Sequence, residues 1–593
     1  MTDINRLITD NIDVWSSAIE LRKTTGRGSN NKIRLKGIDN LRNLIIELAL
    51  QGRLVQQNSS DFPAMLLINE AKQTRAELLK KKLIKKQSAK VNYEQLEKPY
   101  NIPSGWCWSS IGELCEITPK NDLSDEIDVS FIPMPLVSTS YTGEHGQEIR
   151  KWGEVKKGFT HFADGDIALA KITPCFENSK AAIFSGLKNG VGSGTTELHV
   201  ARPLLSKINP RYLLLFLKSP IFLTVGESKM TGSAGQKRVP KDFFTTFSLP
   251  LAPAEEQGRI VSKVDELMAL CDQLEQQTKA GIDAHRLLVE ELLLTLTNSK
   301  NAQEFEQNWG RIAKHFDLLF TTEHSIEQLK QTILQLAVMG RLVSQDSTHT
   351  PAKENLIKLK RQKEKLIQEK AIKKPKALSP FSDDEKHFEL PRGWIWAQIG
   401  ELGNASESSI VDGPFGSSIS TKTDYIESGV PVTRMSNISP FKYKKEDLKF
   451  VTPSKFSELR RHNILSKDVL LGKVGSIGNA VVYPDDMPEG LIATTGVARF
   501  RVGEVITSEL MCYFLNALGP KLRSIASQAV QPFLNMKTIN SCLIGLPPLE
   551  EQIQIVEKLD QLMSLCNHLK RLLLQANETQ ANLSEAIIDN ALN

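Results

Sequence analysis

Two short patterns place a carboxylate and a lysine five residues apart: Asp166 with Lys171 in GDIALAKI, and Asp468 with Lys473 in KDVLLGKV. A metal-dependent nuclease needs further carboxylates close by to bind Mg²⁺. Neither pattern offers them, so Lys171 and Lys473 read as strand ends whose ammonium groups touch phosphate. Side chains that read base edges or phosphates also gather in irregular polar segments. They are Ser233, Gln236, Lys237 and Arg238 in KMTGSAGQKRVP (229–240), and Gln531 with Asn535 in SQAVQPFLNMKT (527–538). Ser417 and Ser418 in DGPFGSSIS (412–420) and Arg434 in VPVTRMSNIS complete the candidate DNA contacts. An ordinary surface loop is the alternative for each.

No catalytic constellation accompanies them. A Gly-x-x-x-x-Gly-Lys-Ser/Thr loop is absent, no Gly-x-Gly-x-x-Gly follows a strand, and no Asn/Asp-Pro-Pro-Tyr/Phe segment is present to hold a flipped adenine. The ten histidines lack metal-ligand spacing, and the seven cysteines are scattered without a Cys-x-x-Cys pair. A reduced, cytosolic protein without structural zinc is expected. The first residues lack a signal peptide's basic flank and apolar run. No stretch approaches the roughly 20 apolar residues that span a bilayer, so no membrane role is expected. The charge of +5 over 593 residues argues against a wholesale polyelectrolyte, and 40 % hydrophobic residues exclude global disorder.

The elements that would position these residues occur twice. LALQGRLV (48–55) returns as LAVMGRLV (336–343), and PSGWCWSSIGEL (103–114) as PRGWIWAQIGEL (391–402), both 288 positions on. EEQGRIVSKVDELMALCDQLE (255–275) returns as EEQIQIVEKLDQLMSLCNHLK (550–570). The stretches between have diverged greatly. Such a pattern suggests one scaffold presenting two different binding surfaces.

After Pro253 the spacing of Ile260, Val264, Leu267, Cys271 and Leu274, resuming at Leu288, Leu292 and Leu296, predicts an amphipathic helix of about 40 residues and about 60 Å. Its counterpart after Pro548 carries Ile553, Val556, Leu559, Met563, Cys566, Leu569 and Leu573. A long apolar stripe must be covered, and an antiparallel, coiled-coil-like pair is the economical solution. Shorter helices precede each insert, ending at Gly52 and Gly340; Ser325 with Gln328 resembles a capping box. Lysine-rich helices follow, Lys72 to Lys90 and Lys353 to Lys374, read as a solvated face with phosphate contact as the alternative. The Gly-Trp-x-Trp segments suit packing on a strand, and short β-branched runs suggest a mixed α/β domain with a twisted sheet.

In the order and repetition of these segments the chain resembles the specificity subunits of type I restriction-modification enzymes, specifically their longer branch. The resemblance covers nearly everything after Asp39 and includes LPLAPAEEQ, LPPLEEQ and DGPFGSSIS. The first insert lacks a close copy of the last of these. The resemblance implies a non-catalytic subunit that binds double-stranded DNA at a bipartite, asymmetric site and binds no cofactor itself. It also implies two methyltransferase subunits and restriction/motor subunits as partners, carrying S-adenosylmethionine, ATP and Mg²⁺, in the cytoplasm.

The expected fold is α+β with internal duplication: two mixed α/β target recognition domains separated by long antiparallel coiled-coil-like helices, with further N-terminal and central helical segments. The expected boundaries are 1–100 for the N-terminal helical region, 101–252 for the first recognition domain, 253–390 for the central helical region, 391–546 for the second recognition domain and 547–593 for the last helix. A stand-alone DNA-modifying enzyme or a sequence-specific DNA-binding regulator is the alternative function.

Overall fold

The computed structural model describes residues 4–22, 32–85, 98–233, 235–300, 302–386, 388–527 and 532–592. Contacts divide the chain into two compact units, Met1–Ile282 with Gln575–Asn593, and Asp283–Leu574. The architecture is α+β, and both units are built on one plan. Among the described residues no helix is long and apolar enough to cross a membrane.

Each unit rests on a frame helix, Lys36–Leu50 in the first and Glu323–Val338 in the second. The first buries Ile38, Leu41, Leu44, Ile45 and Leu48; the second buries Ile326, Leu329, Ile333 and Leu336. Gly52 and Gly340 follow, both at φ +68°, the left-handed conformation that ends a helix and favours glycine. The capping box of the second helix is formed by Thr322 with Ser325, not by Ser325 with Gln328. The hydroxyl that accepts the exposed amide thus stands three residues earlier than the sequence pattern suggests.

The long helices are Ala254–Thr297 and Leu549–Leu592, 44 residues each. Their phase differs from the expected stripe in two places. Val289, Leu293 and Leu296 are buried while Leu288 is exposed, and Ile555 is buried while Ile553 is exposed. A run such as LLVEELLLTL offers apolar residues on every side, so spacing alone does not choose the covered face. In unit 1 the frame helix is tied to both long helices. Arg42 donates to Asp272 (2.7 Å) and Glu275 (2.6 Å), Asn40 to Ser584 (2.9 Å), and Lys36 pairs with Glu585 (2.7 Å). In unit 2, Lys570 pairs with Glu323 (3.3 Å) and Glu327 (3.0 Å), and Arg341 donates to the carbonyls of Thr297 and Ser299.

Each insert is closed by a two-stranded ribbon that pairs its first strand with its last. Cys107–Ser109 lies antiparallel to Leu249–Leu251, and Ile395–Gln398 to Leu543–Leu546. Between these ends each insert folds into two four-stranded sheets, with a two-stranded hairpin (Ile438–Ser439 and Lys442–Tyr443) added in the second, rather than the single sheet expected from the sequence. One sheet centres on a parallel pair, Asp128–Ile132 beside Val191–Gly194, repeated as Val430–Thr433 beside Gly490–Ile492. The other is antiparallel, ordered Cys115–Ile117, Leu198–Pro203, Ile167–Ala170 and Ala181–Ile183. Its counterpart is Ile410–Asp412, Val497–Phe500, Val469–Gly472 and Ala480–Val482. Strands of two to six residues broken by turns leave little continuous periodicity to distinguish one sheet from two.

The repeated phrases converge where insert meets frame. Trp106 Nε1 donates to Glu256 Oε2 (3.0 Å), and Gln57 Nε2 to Glu256 Oε1 (2.6 Å). Trp394 Nε1 donates to Glu551 Oε2 (3.0 Å), and Gln345 Nε2 to its Oε1 (2.9 Å). Both carboxylates are buried, and burial pushes their pKa values up against the pull of the indole and amide donors. The neighbouring Gln257 accepts from the Asn209 amide and Gln552 from the Thr507 amide, each 2.9 Å. A Cβ on Gly52 would lie 2.5 Å from Pro103, and one on Gly340 2.5 Å from Pro391. Glycine, Pro-x-Gly-Trp and Glu-Glu-Gln therefore recur together because they touch.

The lysine-rich helices, Ala64–Lys80 and Ala352–Gln368, brace this junction in part. Lys72 pairs with Glu113 (3.2 Å) and Lys360 with Glu401 (2.7 Å), the glutamates of the two IGEL phrases. Residues 86–90 of the first expected helix lie outside the described residues.

Asp166 and Asp468 are structural. Asp166 receives Arg202 through Nε and Nη2, both at 2.8 Å, and the Ala163 amide at 2.7 Å. Asp468 receives Arg501 at 2.8 and 2.7 Å and the Leu465 amide at 2.7 Å. Both carboxylates are nearly inaccessible, and their oxygens are engaged by the fork of a guanidinium.

Asp166→Ala would remove the buried carboxylate from Arg202, which keeps Asn121 Oδ1 (3.2 Å) and is partly open to solvent, a loss of about 2–3 kcal/mol. Hydrogen exchange should quicken in the first insert's strands and leave the second insert's rates unchanged. For the junction, Glu256→Ala should cost about 1–3 kcal/mol in urea unfolding, because two donors lose their acceptor. In a double-mutant cycle with Trp106→Phe the losses should fall short of additive by about 1 kcal/mol. Strictly additive losses would show that the indole–carboxylate bond contributes nothing.

Candidate nucleic-acid interface

In the first insert, strand Ile167–Ala170 delivers Lys171 beside a hairpin that runs from Thr231 to Arg238. The Val239 amide donates to the Lys171 carbonyl (2.8 Å), and the Thr173 amide to the Lys237 carbonyl (3.0 Å). These bonds bring Lys171, Gln236, Lys237 and Arg238 to one edge, with Ser233 in the turn, its carbonyl accepting from the Gln236 amide (3.0 Å). Ser233, Gln236 and Lys237 are exposed, and Lys171 is half-buried. Arg238 is held by Glu197, through Nε to Oε2 (2.9 Å) and Nη2 to Oε1 (2.8 Å). That fork lowers the Glu197 pKa. His199 supports the end of the hairpin, bonded to the Val239 carbonyl (3.0 Å), and burial pushes its pKa down to about 4. It is neutral at pH 7 and adds no charge to the edge.

The second insert repeats this plan. Strand Val469–Gly472 delivers Lys473, whose carbonyl accepts from the Leu534 amide (3.0 Å), and Val474 bridges Phe533. Lys473 differs sharply from Lys171, however. It is only 4 % exposed, and its Nζ donates to Asp412 Oδ2 (3.1 Å). Asp412, Lys473, Thr495, Phe533 and Asn535 line a cleft of about 270 Å³.

The remaining candidates lie around this cleft or serve the fold. Ser417 is exposed and Ser418 half-buried in the loop after Asp412, where the Ser418 amide donates to the Phe415 carbonyl (2.8 Å). Gly413 packs on the 494–496 turn, where a Cβ would fall 2.1 Å from the Thr494 carbonyl oxygen. A Cβ on Gly496, in the same turn, would fall 2.6 Å from Met435 Sδ, which places Arg434 nearby. Arg434 is paired with Asp447 (2.8 Å). Asn535 is exposed, and its Oδ1 accepts from the Thr538 amide (2.7 Å) as the N-cap of helix Met536–Ser541. Gln531 lies outside the described residues.

Other residues at these edges were not singled out by sequence. Asp412 and Glu197 are the carboxylates facing the expected cations. Arg460 and Arg461 are exposed and lead into His462, whose Nδ1 donates to the Asp412 carbonyl (2.7 Å). Phe415 is 78 % exposed and Phe533 46 %. Asp412 and Phe415 stood in the quoted phrase DGPFGSSIS and Phe533 in SQAVQPFLNMKT; Glu197, Arg460, Arg461 and His462 come from segments with no distinctive pattern. Among the described residues no three His, Cys, Asp or Glu side chains group as metal ligands. The arrangement supplies hydrogen-bond donors, acceptors and exposed rings on irregular loops, which is the chemistry of recognition.

Residues 103–284 and 398–577 match the type I restriction modification DNA specificity domain. The type I restriction enzyme EcoEI specificity subunit of Escherichia coli is 45 % identical over 598 aligned residues, covering 100 % of both chains. The EcoAI specificity subunit of Escherichia coli is 46 % identical over 604, again with 100 % of both covered. The crystal structure of the HsdS subunit from Thermoanaerobacter tengcongensis aligns over 84 % of this chain and 98 % of its own, with 21 % identity and a TM-score of 0.42. With two matched domains and full-length relatives at this identity, the chain belongs to the family of type I restriction-modification specificity subunits.

Proposed function

We propose that this chain selects the DNA sequence on which a type I restriction-modification complex acts, each insert reading one half of a bipartite, asymmetric site. The observation that carries this is the duplication itself. Two inserts of one topology are fixed to one kind of frame, while the loops beside Lys171 and Lys473 differ in sequence and in charge pairing. A split target of unlike halves needs that combination.

In this reading the chain is the non-catalytic member of its complex. Two methyltransferase subunits dock on the frame and bring S-adenosylmethionine; restriction/motor subunits bring ATP and Mg²⁺. The long helices act as an antiparallel, coiled-coil-like ruler that sets the unspecified gap between half-sites. Their equal length of 44 residues supports this role, because a helix of n residues extends about 1.5n Å. The site of action is the cytoplasm, where such partners meet double-stranded DNA. The modest net charge suits a complex whose partners share the phosphate contacts.

The ribbons define the unit to exchange. Replacing residues 395–546 with the corresponding insert of a relative should change one half-site in a genome-wide adenine-methylation profile and leave the other intact. A change in both halves would overturn the modular reading. Inserting four residues near the middle of Ala254–Thr297 should alter the gap length while both half-sites persist, measured in the same profile.

A further inference from the structure

Asp412 is a carboxylate at an edge otherwise fitted for a polyanion. It ends strand Ile410–Asp412, and its side chain is 42 % exposed. One oxygen, Oδ2, accepts from Lys473 Nζ (3.1 Å); the other, Oδ1, has no hydrogen-bond partner among the described residues. The Lys473 side chain is 5 % exposed, so the ammonium meets the carboxylate from the protein side and leaves the outer oxygen to the cleft. Arg460 and Arg461 stand exposed next to His462, which holds the Asp412 carbonyl. Cations suited to phosphate therefore flank the same strand end.

A bare carboxylate beside DNA is repelled by the phosphates. Pairing with Lys473 cancels that charge and keeps an acceptor. In the major groove a carboxylate finds donors on the exocyclic amino groups of cytosine and adenine. At the corresponding edge of the first insert both oxygens of Glu197 are engaged by Arg238. We propose that Asp412 is a specificity-determining residue, accepting a hydrogen bond from the exocyclic amino group of one cytosine or adenine in its half-site. Lys473 is the positioning residue that orients and neutralises the carboxylate. This rests on the reading of the second insert as a DNA-reading domain.

The test uses the full chain purified with the methyltransferase subunits that accompany it, and duplexes selected from a randomised pool. Asp412→Asn should lower the preference at a single base pair of one half-site by about tenfold or more, with the other positions unchanged. An unchanged profile would overturn the proposal, and so would uniform weakening on all sequences. A second arm leaves the wild-type protein intact. Unsubstituted purine in place of adenine, or 2-pyrimidinone in place of cytosine, removes the amino group without adding an acceptor; at that position it should reproduce the loss, and should add nothing to Asp412→Asn. Which analogue acts identifies the base; no effect from either would overturn the proposal.

Lys473→Met should weaken binding to every sequence by leaving the carboxylate uncompensated, and Asp412→Asn in the same chain should restore it. Failure of that rescue would remove the positioning role. The exchange of residues 395–546, run alongside, separates the two readings. If it moves one half-site while Asp412→Asn moves nothing, this inference alone fails.

Discussion

A buried carboxylate that accepts the indole N–H of an insert's entry tryptophan is the contact on which both halves of this protein depend. Glu256 and Glu551 stand in the first turn of the long helices, and Trp106 and Trp394 stand where the chain enters each insert. The adjacent glutamines accept from the backbone amides of Asn209 and Thr507, the residues that cap helices inside the inserts. A few hydrogen bonds thus join frame, entry and exit at one point. Burial makes each of them costly to leave unmade, so the junction resists drift while the loops it supports remain free to change.

That division explains what the sequence made legible. LALQGRLV and PSGWCWSSIGEL recur because Gly52 packs on Pro103, and such close contacts tolerate few residue types. The long helices were evident from their spacing, yet the covered face was misplaced at Leu288 and Ile553, where apolar residues flank the true stripe. The partners of Glu256 were hidden, because Trp106 and Gln57 lie 150 and 199 positions away and no local pattern links them. The sequence set aside a metal site at Asp166 and Lys171 for want of further carboxylates, but it did not show that Arg202 and the Ala163 amide occupy the Asp166 carboxylate.

The recognition edges were the least legible. Lys171 and Lys473 occupy matching strand ends and resemble each other in sequence, but one stands half-buried at an open edge while the other is enclosed against Asp412. Nothing in GDIALAKI or KDVLLGKV announces that difference. It arises from residues on other strands, and base readout depends on such geometry rather than on the loop's own composition.

The division of the chain also sets the order in which its parts can be finished. Unit 2 is one continuous stretch, Asp283–Leu574, whereas unit 1 includes the segment from Gln575 onward. Ser584 and Glu585 bond to the first frame helix, and Arg53 donates to the carbonyl of Leu592. During synthesis the half that is translated first is therefore the half completed last. The bonds of its frame helix to Ser584 and Glu585 form only once that segment is made, a loop closure of several hundred residues, while the later half closes without that delay.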